Sequence, residues 1–331
     1  MISSSILFFS TLLLGMTLAV SSSSWFGAWI GLELNLLSFI PIISHKDSQY
    51  ASEAALKYFL IQALGSSIIV MAAPMFMTSQ LQANILICLA LLLKAGAAPF
   101  HFWFPTVMEG LKWPQLILLM TAQKVAPMSL LSYLDFSFIY PILTSSIALS
   151  ALVGAAGGIN QTLLRKILAY SSINHMAWMI SAMIISENSW LMYFLFYCII
   201  SSSIALLFYF QQAYHISHVF NQTGSSPFIK PLVFLSLLSL GGLPPFTGFI
   251  PKWLIIQELA SAGMFIILAI LLSSALLTLY YYLRVSIPAF LISSPSTKWV
   301  SKMHPQTSYT FLFLFTNFLG LFFPSLVIMI T

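Results

Sequence analysis

Charge is what this chain has least of. Only 6% of its 331 residues are Asp, Glu, Lys or Arg, where a soluble domain carries about a quarter. Such a sequence cannot clothe a water-facing surface. Its 60% hydrophobic content and mean hydropathy of +0.97 point to a membrane as its solvent. Cysteine is nearly absent: Cys88 and Cys198 each lie inside an apolar run. A disulfide framework, a zinc site and an iron–sulfur cluster therefore all lack ligands, and both thiols read as small packing residues. Also missing are a glycine-rich dinucleotide loop, a Walker lysine loop, an HExxH pair and a CxxC pair, the familiar devices for nucleotides, metals and redox centres. No basic residue precedes the apolar run after Met1, which argues against a transit peptide and, more weakly, against a cleaved signal. The formal charge of +5 is scattered without forming a stripe, so it reads as membrane topology and not as nucleic-acid binding.

What the chain does have is a series of long apolar runs. A helix needs about 20 apolar residues to cross roughly 30 Å of hydrocarbon. By that measure the gaps predict an all-α, polytopic helical bundle of eleven spans, near 2–20, 25–43, 54–77, 83–112, 114–134, 138–159, 167–185, 189–210, 229–260, 263–284 and 308–330. Assigning loops alternately to two faces puts Lys46, Lys112, Arg165, Lys166, Lys230, Arg284, Lys298 and Lys302 on the N-terminal side. The other face receives Asp135, Glu187 and Glu258. By the positive-inside rule the N-terminus faces the positive-inside compartment and the C-terminus the opposite one.

The fourth and ninth runs reach about 30 residues, or about 45 Å as straight helices, too long for the hydrocarbon. Both contain breakers: Gly96, Pro99 and Pro105 in one; Gly241, Gly242, Pro244, Pro245, Gly248 and Pro251 in the other. The two align at an offset of 146, pairing Leu89 with Leu235, Leu91 with Leu237, Leu92 with Leu238, Gly96 with Gly242, Pro99 with Pro245, Phe100 with Phe246 and Pro105 with Pro251. Five spans separate them, an odd number, so the matching segments cross in opposite directions. That is an inverted repeat, with approximate halves 1–134 and 138–284 in a single membrane domain spanning 1–331 and a final helix at 308–331. Transporters built this way place ion sites at paired discontinuous helices, because unwound backbone is tolerated at depth only where it lines protein or a cavity.

Three ionisable residues, Glu33, Lys94 and Lys124, fall near the middle of their spans. Lys252 follows the second break, a loop position by hydropathy that unwound backbone would hold inside the membrane, so its depth stays open. A charge at mid-bilayer costs about 2.5–3.5 kcal/mol on the lenient insertion scale, so each needs a partner or a purpose. The reading is a chain of proton-carrying groups, with a static buried ion pair as the competing one. Lys57 lies four residues from Glu53 and fits a surface pair better than a relay, though it stays a candidate. His101 in the first break and His175 early in the seventh span are further candidates, against a packing role hydrogen-bonded to freed carbonyls. Trp25, Trp103, Trp113, Trp190 and Trp253 stand near span ends and read first as interfacial-belt residues.

Taken together, WIGLELNLLSFIP, EAALKYFL, LLLKAGAAPFHFWFPTVMEG, QKVAP, NQTLLRKILAYSSINHMAW and LGGLPPFTGFIPKW resemble the subunit 2 family of mitochondrial NADH dehydrogenase, respiratory complex I. The blocks occur in order over nearly the whole chain. The departures are small: HMAW stands where HMGW or HLGW is commoner, and the loop 285–307 matches nothing in the family pattern. The resemblance implies an antiporter-like membrane-arm subunit that moves protons when ubiquinone is reduced elsewhere in the complex. It matches Glu33, Lys94, Lys124 and Lys252 to the family's charged positions. It implies that NADH, FMN, iron–sulfur clusters and ubiquinone are bound by other subunits, with no cofactor or metal in this chain. It further implies the mitochondrial inner membrane, an N-terminus on the matrix side, and as partners other membrane-arm subunits, accessory subunits and phospholipids such as cardiolipin, without nucleic acid. Eleven spans suit the bilaterian form, which lacks three N-terminal helices of the bacterial fold. The alternatives are a stand-alone cation/proton antiporter and a structural spacer without its own proton path.

Overall fold

The computed structural model describes residues 2–44, 48–220, 229–244 and 246–291, together with positions 314 and 317. The helices are α1 Ile2–Ser21, α2 Trp25–Ile43, α3 Gln49–Ala72 with a 3-10 extension Ala73–Met77, α4 Gln80–Ala95, α5 Trp103–Gly110, α6 Trp113–Met120, α7 Ala122–Ser132, α8 Phe136–Ile159, α9 Leu164–Ile185, α10 Glu187–Gln211, α11 Ile216–Phe220, α12 Ile229–Gly241, α13 Phe249–Ser261 and α14 Phe265–Leu291. Six of them are by themselves long and apolar enough to cross a membrane: α2, extended α3, α8, α9, α10 and α14. Together with α1 and the interrupted spans α4/α5, α6/α7 and α12/α13, they correspond to the first ten expected runs. The eleventh, 308–330, lies outside the described residues except for 314 and 317. The tenth continues to Leu291, past its expected end at 284.

The fifth span is broken as well, which composition did not reveal. The Thr121 hydroxyl donates to the carbonyl of Ile117 at 2.7 Å, and Lys124 N–H reaches Thr121 O in a tight three-residue turn. A back-bonded threonine competes with the backbone ladder and bends a helix.

The chain divides into two compact units, Met1–Ser150 and Ala151–Thr331. In the first, α1 lies close along α2. A Cβ on Gly15 would stand 2.8 Å from the Asn35 nitrogen and 3.0 Å from the Gly31 carbonyl oxygen. Lipid tails are as apolar as leucine, so helices in a bilayer gain by close van der Waals approach, which small residues permit. In the second unit α9 is the centre: 89% of its apolar window is buried, against 28% for α14.

The two long breaks share one construction. Gly96 and Gly242 have φ of 74° and 77°, a left-handed backbone that glycine adopts at little cost. At the end of α4, Gly96 N–H bonds Leu93 O and Ala97 N–H bonds Leu92 O. At the end of α12, Gly242 N–H bonds Ser239 O and Leu243 N–H bonds Leu238 O. Each is a Schellman cap that satisfies two of the last four carbonyls of a half-helix and leaves those nearest the glycine to other donors. Both chains then resume at the same offset, at Trp103 in α5 and Phe249 in α13, with Pro105 and Pro251 in the first turn, where no helical N–H partner is lost. Of the matched prolines, Pro245 lies outside the described residues.

Candidate functional site

In the first unit the inner face of α2 carries Leu32, Asn35, Leu36 and Phe39, all buried, with Glu33 half-buried at its edge. Lys94 ends the last turn of α4 at 5% exposure, where the negative end of the helix dipole favours a cation. It interacts electrostatically with Glu33. Gly65 of α3 makes room for it: a Cβ there would come within 3.0 Å of the Lys94 Cγ. Lys124, at 2% exposure, is turned inward by the bend at Thr121, and its Nζ stands 5.0 Å from the centre of the Phe104 ring. A desolvated cation over an aromatic face gains about 2 kcal/mol. Phe104 belongs to α5, so the second lysine rests on the first break.

A hydrogen-bonded chain ties these elements together. The Tyr58 hydroxyl of α3 donates to Gln123 Oε1 at 3.0 Å, and Gln123 Nε2 donates to Asn35 Oδ1 at 2.9 Å. Gln62 Nε2 donates to the Lys94 carbonyl at 3.2 Å, one of those the break frees. Trp103 Nε1 donates to the Leu93 carbonyl at 3.0 Å.

In the second unit Lys252, at 6% exposure, reaches back across its break. Its Nζ donates to Gly241 O at 2.8 Å and lies 3.5 Å from Leu240 O, while the Trp178 ring centre stands 5.9 Å away. Gly242 is required twice over, by its positive φ and because a Cβ would meet the Lys252 Cδ at 2.7 Å. Position 317 pins the same break: its Oδ1 accepts from Ser239 at 2.8 Å and its carbonyl accepts the Thr247 N–H at 3.2 Å. His175 of α9 shares a 2.7 Å hydrogen bond with the Tyr193 hydroxyl of α10, between Nδ1 and Oη.

The structure thus gathers Lys94, Lys124 and a half-buried Glu33 in one unit, and Lys252 with His175 in the other. His101 is buried in the first break, its Nδ1 3.2 Å from the carbonyl of Pro99 and its ring against Phe102. Because a carbonyl only accepts, Nδ1 is the donor in this contact. Lys57 stays on the surface, 3.6 Å from Glu53 in an i,i+4 pair, away from the buried groups. Trp103, Trp113 and Trp190 are buried, which corrects their reading as belt residues; Trp25 and Trp253 remain partly exposed. Among the described residues no three His, Cys, Asp or Glu side chains converge as metal ligands. Cys88 is buried among helices and Cys198 partly so. Sequence reasoning missed Asn35, Tyr58, Gly65, Gln123 and Asn317, since single amides, phenols and glycines inside apolar runs carry no periodic signal. Gln123 had one available cue, its place beside Lys124.

The family model described as NADH:quinone oxidoreductase/Mrp antiporter, transmembrane, matches residues 22–82 and 76–278. The chain is 47% identical over 324 residues to "NADH-ubiquinone oxidoreductase chain 2" of Anopheles gambiae, covering 95% of this chain and 94% of that one. It is 40% identical over 307 residues to the protein of the same name from Locusta migratoria, covering 90% and 89%. Among solved structures it superposes on a chain of respiratory complex I from Thermus thermophilus with a TM-score of 0.86 at 26% identity, covering 98% of this chain and 79% of that one. A chain of the Mrp complex from Dietzia sp. DQ12-45-1b shares the fold at a TM-score of 0.74 and 18% identity, covering 86% and 60%. Relatives that match its length almost end to end carry one name, and the chain belongs to the NADH-ubiquinone oxidoreductase chain 2 family.

Proposed function

We propose that this chain is a membrane-arm subunit of NADH:ubiquinone oxidoreductase and supplies one path by which protons cross the mitochondrial inner membrane as electrons pass from NADH to ubiquinone in other subunits. The observation that carries the proposal is the environment of Lys252, held by carbonyl oxygens and a ring face. An ammonium and a neutral amine both donate to a carbonyl, so that contact survives loss of the proton. A static ion pair would instead need the charged form throughout.

In this reading Glu33 and Lys94 form the entrance pair. Charge on one stabilises charge on the other. Lys124, resting on the first break, is the middle carrier, and Lys252 at the second break is the exit. His101 and His175 are auxiliary groups at the two breaks, and Lys57 is the weakest candidate. The repeat 1–134 and 138–284 places one broken helix in each half. NADH, FMN, iron–sulfur clusters and ubiquinone belong to other subunits. Other membrane-arm chains, accessory subunits and phospholipids such as cardiolipin cover the apolar surface, which includes Leu7, Leu14 and Leu37. The N-terminus lies on the matrix side, in keeping with the distribution of Lys and Arg among the loops.

The test is proton translocation per NADH oxidised in the assembled complex. Replacing Lys124 or Glu33 by an uncharged residue should lower it; an unchanged ratio in an assembled complex would make the chain a spacer. Reconstituted alone, the chain should not exchange cations for protons. Exchange by the isolated chain would establish a self-sufficient antiporter.

A further inference from the structure

Each unit has a small cavity beside its break, and the two cavities share some matching positions. The first has about 10 Å³ of room for the centre of a water-sized sphere and is lined by Asn35, Leu36, Tyr58, Gln62, Lys94 and Gln123, among others. The second has the same room and is lined by His175, Tyr193, Tyr197, Leu240 and Gly248, among others. Three lining positions correspond. Leu36 and His175 are 139 residues apart, as are Tyr58 and Tyr197, and Lys94 and Leu240 are separated by the break offset of 146.

The offset of 139 has independent support in the packing. A Cβ on Gly15 would collide with the nitrogen and Cα of Asn35 and the carbonyl oxygen of Gly31. A Cβ on Gly154 would collide with the same three atoms of Asn174 and Tyr170, each 139 residues on. The same close helix contact therefore recurs at α1/α2 and α8/α9. The rise from 139 to 146 falls between the phenols and the breaks, where the connection between α10 and α12 is longer than that between α3 and α4.

We infer that the two cavities are equivalent water sites, one per repeat, and that Tyr58 and Tyr197 are the positioning residues that hold the water in each. A cavity of about 10–15 Å³ by this measure takes one water, provided two to four polar partners surround it. The first wall offers a phenol, three carboxamides and the Lys94 side chain; the second is mostly apolar and offers two phenols and an imidazole. Tyr58 spends its proton on Gln123, which leaves its oxygen as an acceptor. Carboxamides give up no proton near neutral pH, so the Tyr58–Gln123–Asn35 chain orients the site without conducting through it. The partner groups have changed between repeats. Lys94 faces the first water where the second site has Leu240, and His175 faces the second where the first has Leu36. Lys252 is linked to the second site through Leu240, a lining residue whose carbonyl lies 3.5 Å from its Nζ.

The water sites stand independently of the proton path, but their functional consequence rests on the reading proposed above. The experiment is a high-resolution map of the assembled complex, unsubstituted and with Tyr58→Phe or Tyr197→Phe, alongside protons moved per NADH and a Lys124→Met complex. One ordered water is expected in each cavity. Each phenylalanine variant should lose the water from its own cavity only, with Lys94, Asn35 and His175 unmoved, and should lower translocation by up to about a hundredfold, the scale of a misplaced reacting partner. A cavity without water in the unsubstituted map overturns the inference, and that map decides even where a variant fails to assemble. Water retained after loss of the hydroxyl overturns the positioning role. Full translocation in the phenylalanine variants together with failure in Lys124→Met sinks the functional consequence and leaves the proton path standing. Full translocation in all three sinks the path itself.

Discussion

Lys252 donates to the carbonyl oxygen of Gly241 at 2.8 Å, from a half-helix that begins beyond the break which Gly241 closes. In the first unit the corresponding place is served from the other side: Lys94 lies in the last turn of the helix before the break. At the offset of 146, Leu240 stands where Lys94 does and Thr106 stands where Lys252 does. A cation is thus kept at the negative end of a truncated helix in both halves although the residue that supplies it has moved.

Replacing Lys252 by Met should remove that donor while leaving a side chain of similar length in the packing. Proton translocation per NADH is expected to fall by about a hundredfold or more, the usual contribution of a positioned proton-transfer group, with the complex still assembling. Translocation assays on membrane vesicles, normalised to assembled complex, check it.

Gly242→Ala combines two penalties. The left-handed backbone costs about 1–2 kcal/mol for any residue with a Cβ, and the new carbon would push on the Lys252 chain. Gly263→Ala is the matched control, with φ of 72° and nothing within 4 Å of the added Cβ. Thermal stability of the assembled complex should drop for both, and translocation should drop beyond that for Gly242→Ala alone.

Phe104→Leu should weaken the hold on Lys124 without changing any charge. Loss of the ring face is worth about 0.5–2 kcal/mol, so translocation should decline less than in Lys124→Met. A decline equal to that of the lysine variant would mean that the ring sets the packing of the whole break.

Lys57→Met is expected to do little. Its pairing with Glu53 is exposed and is worth about 0.5 kcal/mol or less. Assembly and translocation should stay near those of the unsubstituted complex. A large loss would return Lys57 to the relay.

Burial of Lys94 and Lys124 and the two long breaks were legible because each violates its surroundings: a cation in the middle of an apolar run, or glycine and proline in a helix too long for the bilayer. The cap at Gly96 and its repetition at Gly242 follow from the same local rule. The bend at Thr121 was not legible, because it depends on a single hydroxyl back-bond within an otherwise regular apolar run. Nor was the use of Trp103, which looks like a belt residue by its place near a span end and instead is buried, its Nε1 donating to the Leu93 carbonyl that the Gly96 cap also uses.

The sequence by itself determined that the chain lives in a membrane, how many apolar spans its described part holds and where two helices break. These follow from solvent, length and backbone chemistry, each read within one segment. Only the tertiary structure decided what each charge rests on: Lys124 on Phe104, Lys252 on the end of α12, Tyr58 on Gln123 and Asn35. Those partners are remote in sequence, and in an apolar chain nothing short of packing selects which of many helices meets which.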